Sequence, residues 1–159
     1  MKPLTLSKFV AAPVERTFDA FTDFEHAAEN VRAIESLEIL GGGPVAVGMR
    51  FRETRVMFKR EATEEMEITA LERPDRVAVG GESCGTRFLT EFRFTPEGGG
   101  TRVELEMRFE ALTLFAKLMS PLGGLMAKSA AKQMQADLDD LAAVAEGKHG
   151  SSLEGALAT

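Results

Sequence analysis

The chain has 159 residues, with 19 Lys and Arg against 25 Asp and Glu, and a formal net charge of −6. This length suits one domain with a sizeable core, and the acidic balance argues against a nucleic-acid partner, which needs a basic face. No apolar stretch approaches the roughly 20 residues of a membrane-spanning helix, and the N-terminus lacks the apolar region of a signal peptide. The single cysteine, Cys84, excludes an internal disulfide and a multi-cysteine metal site, so we expect a cytoplasmic protein.

The aromatic residues restrict the chemistry of the interior. The chain has 11 Phe but no Trp and no Tyr, so an aromatic interior contains no indole or phenol to form hydrogen bonds. His26 and His149 are the two imidazole groups available as bases. The composition therefore favours an apolar interior with few titratable groups.

The first quarter of the chain predicts two strands separated by short helices. Val14, Phe18 and Phe21 recur at helical spacing after Pro13, and Asp23 is a candidate cap for a second helix. The glycine-rich run at 41–44 ends this part of the chain. The predicted elements are, in order, a strand at 4–11, helices at 14–22 and 23–30, and a strand at 32–40.

The middle of the chain alternates with period two, which predicts consecutive antiparallel strands. Each strand has one mainly apolar face and one charged face, and the loop at 96–100 is a strong hairpin signal. A sheet of this kind must be covered on its apolar face. The predicted strands are 47–57, 61–71, 76–83, 86–95 and 101–110.

The element expected to cover the apolar face of the sheet is a long helix predicted over 112–146. Its apolar residues fall near one stripe. Pro121 and the glycines after it interrupt the helix near its start, where Ser120 is a candidate cap. The Gly/Ser-rich residues 148–159 are expected to form a flexible tail, which leaves 1–147 as the folded domain. The antiparallel strands and the separate helices together predict an α+β fold.

Four short segments resemble a known superfamily when they are taken in this order. They are APVERTF at 12–18, FTDFE at 21–25, VGMRF at 47–51 and GGGTRV at 98–103. The chain resembles the helix-grip fold of the START-like superfamily, and within it the bacterial polyketide cyclase/dehydrase and lipid-transport-like proteins called SRPBCC. The resemblance implies a curved antiparallel sheet of about seven strands wrapped around a long C-terminal helix, with two short helices after the first strand.

The resemblance also implies a cavity between sheet and helix that takes a hydrophobic or amphipathic small molecule, such as a lipid, a polyketide or a quinone-like compound. One functional class is a binding or transport protein without turnover. The alternative is a polyketide cyclase/dehydratase-like enzyme that acts in the same cavity without a metal, with Glu64 as a weak catalytic candidate. A third class, an interaction protein, would show an exposed apolar patch. We expect no cofactor and no membrane span. Association into a homodimer is left as an open alternative.

The expected ligand-binding residues lie on the inward face of the strands and near the start of the long helix. The apolar members are core residues at minimum, whereas the charged members need partners or water when they are turned inward. They are Phe51, Glu53, Arg55, Glu64, Met66, Ser83, Thr86, Phe88, Thr90, Phe92, Met107, Leu122 and Met126.

The spacing of two strands predicts an ion pair inside this face. If the strands 47–57 and 61–71 turn at Lys59-Arg60, then Arg55 lies opposite Glu64, and their Cβ atoms are about 4.5–5.5 Å apart. Such a pair stabilises the ionised form of Glu64, which weighs against a general base. We expect Arg55 to hold the polar or acidic head of an amphipathic ligand at a polar mouth, with the apolar depth beyond it.

The remaining polar residues have simpler interpretations. His26 is expected at the surface, and Cys84 is expected to be an unreactive residue in a turn. The run of Asp137, Asp139 and Asp140 is expected to be solvated. Neither a zinc site nor a phosphate-binding loop is predicted, because the required ligand spacing and the Lys-Ser/Thr ending are missing.

Overall fold

The computed structural model describes residues 2–57, 59–119 and 123–148, and it describes the side chains of these residues except at Met57 and at 123–126. Leu122, His149 and the remainder of the expected tail therefore lie outside the described residues, as does the side chain of Met126. The strands are β1 (Leu4–Val10), β2 (Ile34–Leu40), β3 (Arg50–Met57), β4 (Arg60–Glu72), β5 (Arg76–Ser83), β6 (Thr86–Glu97) and β7 (Gly100–Ala111). The helices are α1 (Val14–Phe21), α2 (Ala27–Asn30), α3 (Leu114–Leu118) and α4 (Gly123–Ala145), with a 3-10 turn at Phe24–His26 before α2.

The strands form one antiparallel sheet in the order β1-β7-β6-β5-β4-β3-β2, so that β1 and β2 are its two edges. Its inner face is the one turned toward α1 and α4. The period-two alternation holds along β4, where Glu61, Thr63, Glu65 and Glu67 are exposed on the outer face. The predicted element order is therefore confirmed, with the predicted long helix divided into α3 and α4.

Aromatic contacts fill one end of the interior, where α1 lies against β6. The ring of Phe18 is 5.5 Å from that of Phe94, and the ring of Phe21 lies 5.3 Å from Phe94 and 5.6 Å from Phe92. Leu138 of α4 is fully buried in the same cluster. The largest apolar cluster among the described residues therefore lies at the α1 end of the sheet, and a smaller one holds Met49, Phe51 and Ile68 of the β3–β4 region.

The two halves of α4 pack differently. Leu138, Ala142 and Ala145 in the second half are buried, as is Asp140. From 127 to 137, in contrast, no side chain is fully buried. The second half therefore anchors the helix on the core, while the described side chains from 127 to 137 are only partly buried or exposed.

Three aspartates in α4 pair with cations from three different parts of the fold. Asp139 accepts from Lys8 of β1 at 3.0 Å, and Asp140 accepts from the side chain of Arg32, just before β2, at 2.9 Å. Asp137 accepts from Arg55 of β3. The expectation of a solvated run is therefore wrong for Asp137 and Asp140, because this stretch of the helix faces the sheet.

Helix α3 exposes apolar side chains after the end of β7. Leu114, Phe115 and Leu118 are 76%, 71% and 69% exposed. Thr113 caps the helix by accepting a hydrogen bond from the Ala116 amide at 3.1 Å. None of the described helices combines the length and the hydropathy needed to cross a membrane.

Candidate functional site

The inner face carries an apolar row that crosses four strands. Phe51 of β3 pairs with Met66 of β4, Met66 pairs with Gly81 of β5, and Gly81 pairs with Phe88 of β6. A Cβ atom at Gly81 would lie 2.8 Å from the Phe88 ring and 3.1 Å from Met66 Cγ. The missing side chain at Gly81 therefore lets the Phe88 ring and Met66 approach each other across β5.

A polar row lies two residues nearer to the β3–β4 and β5–β6 turns. Glu53 pairs directly with Glu64, and Ser83 pairs directly with Thr86. All four side chains are half-buried. The inner face thus changes from apolar to polar within one row, as the sequence pattern predicts.

The other expected residues lie deeper on the same face. Thr90 is buried opposite half-buried Met107, and Phe92 packs on Phe21 of α1. Each of the expected residues whose side chain is described therefore lies on the inner face. Their contact with a ligand stays a prediction, as it does for Leu122 and Met126.

Arg55 joins β3 to α4 through two carboxylates. Its Nε donates to Glu53 Oε1 at 2.7 Å, and its Nη2 donates to Asp137 Oδ2 at 3.0 Å. The three side chains are only 12–13% exposed. We call Glu53, Arg55 and Asp137 the Arg55 cluster.

The predicted ion pair between Arg55 and Glu64 is wrong. Arg55 pairs with Ala62, because Met57 pairs with Arg60 and the register of the hairpin follows from this pair. A turn placed one residue earlier shifts every cross-strand partner by two residues, which leaves each side chain on its predicted face. Glu64 consequently lies opposite Glu53 instead of opposite Arg55.

Burial dominates the electrostatics of the Arg55 cluster. It raises the pKa of Asp137 from 3.8 to about 6, and the attraction of Arg55 offsets only part of this effect. Burial also lowers the pKa of Arg55, but Glu53 and Asp137 more than compensate, so that its pKa lies above the ordinary value. The guanidinium therefore stays charged, while Asp137 titrates near neutral pH.

Two buried atoms of the Arg55 cluster have no hydrogen-bond partner among the described residues. They are Arg55 Nη1, which is a donor, and Asp137 Oδ1, which is an acceptor. A buried polar atom left without a partner costs about 1–3 kcal/mol. Both atoms are therefore buried without the hydrogen bonds that would offset this cost.

Glu64 forms no hydrogen bond or ion pair with another described residue, although it lies directly across from Glu53. The described residues contain no group of three or more His, Cys, Asp or Glu side chains that could hold a metal ion.

His26 and Cys84 both lie at the surface. His26 Nδ1 is 2.8 Å from Asp23 Oδ1, and this hydrogen bond raises the pKa of the imidazole. Cys84 is an exposed free thiol in the β5–β6 turn, with a φ of 50°. Neither residue contributes to the inner face.

Sequence reasoning missed Asp137 as a member of the site. The residue follows Met134 by three positions and precedes Leu141 by four, so it lies on the apolar side of the helix. The sequence signal that could have identified Asp137 is a charged residue within the apolar stripe of the predicted helix.

Two open surface pockets lie elsewhere on the described residues. One is on the outer face, between Leu89, Arg93 and Glu106, and the other follows the glycine loop between Leu40 and Arg50. Neither includes a residue of the Arg55 cluster.

A seven-stranded antiparallel sheet around a long C-terminal helix, with short helices after the first strand, is a helix-grip fold, and this confirms the predicted fold class. The chain belongs to the family described as polyketide cyclase / dehydrase and lipid transport, whose model matches residues 1–146. The predicted membership of the START-like superfamily is thereby confirmed. No curated protein matches the chain.

Several solved structures share this fold. TTHA0849 from Thermus thermophilus is 22% identical, with a TM-score of 0.73, 95% of this chain and 99% of that chain covered. The major latex-like protein 151 from Panax ginseng is 14% identical, with a TM-score of 0.72, 89% of this chain and 95% of that chain covered. The di-domain ARO/CYC StfQ from the steffimycin biosynthetic pathway is 16% identical, with a TM-score of 0.69, 93% of this chain and 52% of that chain covered. At these levels of sequence identity, the structural similarity establishes only that the fold is shared.

Proposed function

We propose that the chain binds a hydrophobic or amphipathic small molecule between the inner face of the sheet and α4, without chemical turnover. The observation that supports the proposal most directly is the apolar row of Phe51, Met66 and Phe88 beside a polar row. Arg55, two residues beyond Glu53 of the polar row, contacts α4 at Asp137, and α4 buries no side chain fully between 127 and 137. An apolar surface with a few converging polar groups suits a molecule that has a long apolar body and one polar group.

The family description is consistent with this proposal, since it includes lipid transport. Candidate ligands are lipids, polyketides and quinone-like compounds. We also propose that residues 1–147 form the ligand-binding domain and that the protein acts in the cytoplasm. Association into a homodimer is left as an open alternative.

Binding of the neutral apolar dye Nile red tests the proposal with the full chain. Phe88→Ala removes the ring that lies over Gly81 and should weaken dye binding severalfold. Leu89→Ala is the matched control, because Leu89 is the next residue and is exposed on the outer face. Circular dichroism checks that each variant is folded, and native mass spectrometry of the purified wild type identifies a co-purified ligand. A folded wild type that binds no dye and carries no ligand would contradict the proposal.

The cyclase/dehydratase alternative is favoured by one observation, the raised pKa of Asp137. A carboxyl group that titrates near neutral pH suits general acid–base catalysis. This makes Asp137 a better catalytic candidate than Glu64. Conversion of a poly-β-keto thioester by the wild type, and its loss in Asp137→Asn, would favour the enzyme over the carrier.

The interaction-protein alternative gains support from α3, whose exposed Leu114, Phe115 and Leu118 form an apolar patch. This patch is compatible with ligand binding at the inner face, because the two surfaces use different residues.

A further inference from the structure

The short helix α3 presents an apolar stripe to solvent after the end of β7. Leu114, Phe115 and Leu118 are 76%, 71% and 69% exposed. Residues three and four positions apart lie on one side of a helix, so Leu118 lies beside both Leu114 and Phe115. We call these three residues the α3 patch. Single apolar residues are normal on a protein surface, whereas a contiguous group of large ones indicates an interaction site.

The β5–β6 turn holds the start of α3 in place. The amide of Leu112 donates to the Gly85 carbonyl oxygen at 2.8 Å, and the side chain of Thr113 caps the helix. A Cβ atom at Gly85 would lie 2.5 Å from Thr113 Oγ1, so the absence of a side chain at Gly85 permits this close approach. The apolar side chains of α3 are therefore exposed next to a closely packed junction and not at a frayed end of the chain.

The sequence around the α3 patch lacks acidic residues. There is no Asp or Glu from 111 to 136, although 25 of the 159 residues of the chain are acidic. The same segment contains Lys117, Lys128 and Lys132, which are exposed and form no ion pair with a described residue. Glu110, just before the segment, already pairs with an arginine. This part of the molecule therefore carries unpaired positive charge in a chain whose net charge is −6.

The positive charge continues from α3 along the first turns of α4. Lys128 and Lys132 are four positions apart, so they share one side of the helix, and both are exposed. Lys132 is nine residues from the start of α4 at Gly123, which is about 14 Å along the helix axis. The lysines of α3 and α4 thus follow the α3 patch without an intervening carboxylate.

Shape and charge together favour one kind of partner. More than two thirds of each side chain of the α3 patch is exposed, so a rigid protein partner would need a matching cavity for each of them. A lipid bilayer is fluid and accepts protruding apolar side chains without such a match. Exposed lysines beside these side chains complement the negative charge of phospholipid head groups. A second copy of the chain carries the same positive charge around its own α3 patch, which opposes contact between the two.

We propose that the α3 patch docks the protein on the surface of a lipid bilayer that contains anionic phospholipids. The apolar side chains enter the boundary between head groups and acyl chains, while Lys117, Lys128 and Lys132 contact the head groups. Docking is reversible, because a five-residue helix inserts few apolar side chains. The inference does not depend on what the inner face binds, since the α3 patch shares no residue with the apolar row or the polar row.

Cys84 provides a reporter for this contact. It is the single cysteine of the chain, it is exposed, and it lies in the β5–β6 turn that holds α3. The full chain is labelled at Cys84 with acrylodan, whose emission moves to shorter wavelength in apolar surroundings. It is then titrated with phosphatidylcholine vesicles that contain either no phosphatidylglycerol or about one third of it. The emission should shift with the anionic vesicles at a lipid concentration about tenfold lower than with phosphatidylcholine alone, and added salt should reduce this difference.

Two matched pairs of variants assign the contact to α3. Leu118→Ser should raise the required concentration of anionic lipid about tenfold, whereas Leu89→Ser makes the same change on the outer face of the sheet and should leave it unchanged. Lys117→Gln should raise it severalfold for anionic vesicles only. Lys148→Gln makes the same change beyond the other end of α4 and should have no effect. Circular dichroism checks that each variant is folded.

The outcomes separate this inference from the proposed function. The unlabelled chain should sediment with the anionic vesicles, which excludes an effect of the label. A folded chain that neither shifts in emission nor sediments overturns the inference and leaves the proposed function standing. Equal binding to the two kinds of vesicle, or equal effects of Leu118→Ser and Leu89→Ser, also overturns it. An emission shift that follows protein concentration without vesicles indicates contact between two copies, and this result overturns it as well.

Discussion

Asp139 and Asp140 are neighbours in the chain, yet they pair with cations at opposite edges of the sheet. Asp139 accepts from Lys8 of β1, whereas Asp140 accepts from Arg32 beside β2. Successive residues of a helix point about 100° apart, so two adjacent carboxylates can reach in different directions. The pair therefore ties α4 to both edge strands of the sheet at one level of the helix.

The contacts of Asp139 and Asp140 should contribute differently to the free energy of unfolding. Asp140 is buried and accepts from the Arg32 amide at 3.0 Å as well as from the Arg32 side chain, while Asp139 is 49% exposed. Asp140→Ala should lower the free energy of unfolding by about 1–3 kcal/mol, because it leaves a backbone amide without its acceptor. Asp139→Ala should cost at most about 1 kcal/mol, as expected for an exposed ion pair. Urea unfolding measures both values, and equal costs would contradict the assigned difference.

Two adjacent glycines in β5 should respond oppositely to the same substitution. In Gly81→Ala the new Cβ lies 2.8 Å from the Phe88 ring and 3.0 Å from the Glu65 carbonyl oxygen, so the strands must shift. We expect a loss of about 1–3 kcal/mol in the free energy of unfolding. Gly80→Ala meets only atoms at 3.5 Å or more and should be neutral, or stabilising by up to about 1 kcal/mol. Thermal unfolding of both variants checks this, and a destabilised Gly80→Ala would show that the contacts are tighter than described.

Leu138 should be the most sensitive position of α4. It is fully buried in the core cluster, so Leu138→Ala should cost about 2–5 kcal/mol through lost burial and the cavity that remains. Leu118→Ala is the matched control, since Leu118 is 69% exposed and should change the free energy of unfolding by about 0.5 kcal/mol or less. Denaturant titration measures both. Comparable values for the two variants would mean that α4 does not pack as described.

The stability of the protein should depend on pH through Asp137. Its folded pKa of about 6 lies above the ordinary 3.8, so the folded state holds the proton more tightly than the unfolded state. The stabilising contribution of this group is complete below about pH 4 and is lost as the pH rises through about 6. The free energy of unfolding of the wild type, minus that of Asp137→Asn, should fall by on the order of 3 kcal/mol between about pH 4 and 7.

Subtracting the variant removes the contributions of all other titrating groups that the two proteins share. Asp139→Asn provides the comparison variant, because it makes the same substitution at a half-exposed position of the same helix. A flat difference curve for Asp137→Asn would show that burial does not perturb this carboxyl group.

The inward and outward faces of the strands were predictable because alternation depends only on hydropathy. The partners across the strands were not, because they depend on where each turn lies. Lys59 takes a φ of 63°, a conformation that lysine rarely adopts, and nothing in the sequence marks it. The predicted pairing of Arg55 with Glu64 is wrong for this reason, although both residues lie on the predicted face.

A similar irregularity escaped prediction further along β4. The alternation predicts Ala70 on the inner face, but a shift in register between Ile68 and Ala70 brings Leu71 to the core instead. A bulge of this kind adds one residue to a strand and reverses the faces beyond it. The partner of Arg55 on α4 was equally hidden, because the rotation of a helix over a sheet is set by packing and not by local sequence.

The uneven burial along α4 has a consequence for how the domain opens locally. Backbone amides in the second half of the helix, around Leu138 and Ala142, should exchange with deuterium only when the whole domain opens, whereas those between 127 and 136 should exchange through smaller fluctuations. The helix also begins with Gly123-Gly124, and each glycine lowers local helix stability by about 1 kcal/mol relative to alanine. We therefore expect the first turns of α4 to unwind and reform while the remainder of the domain stays folded, so that the interior opens without global unfolding.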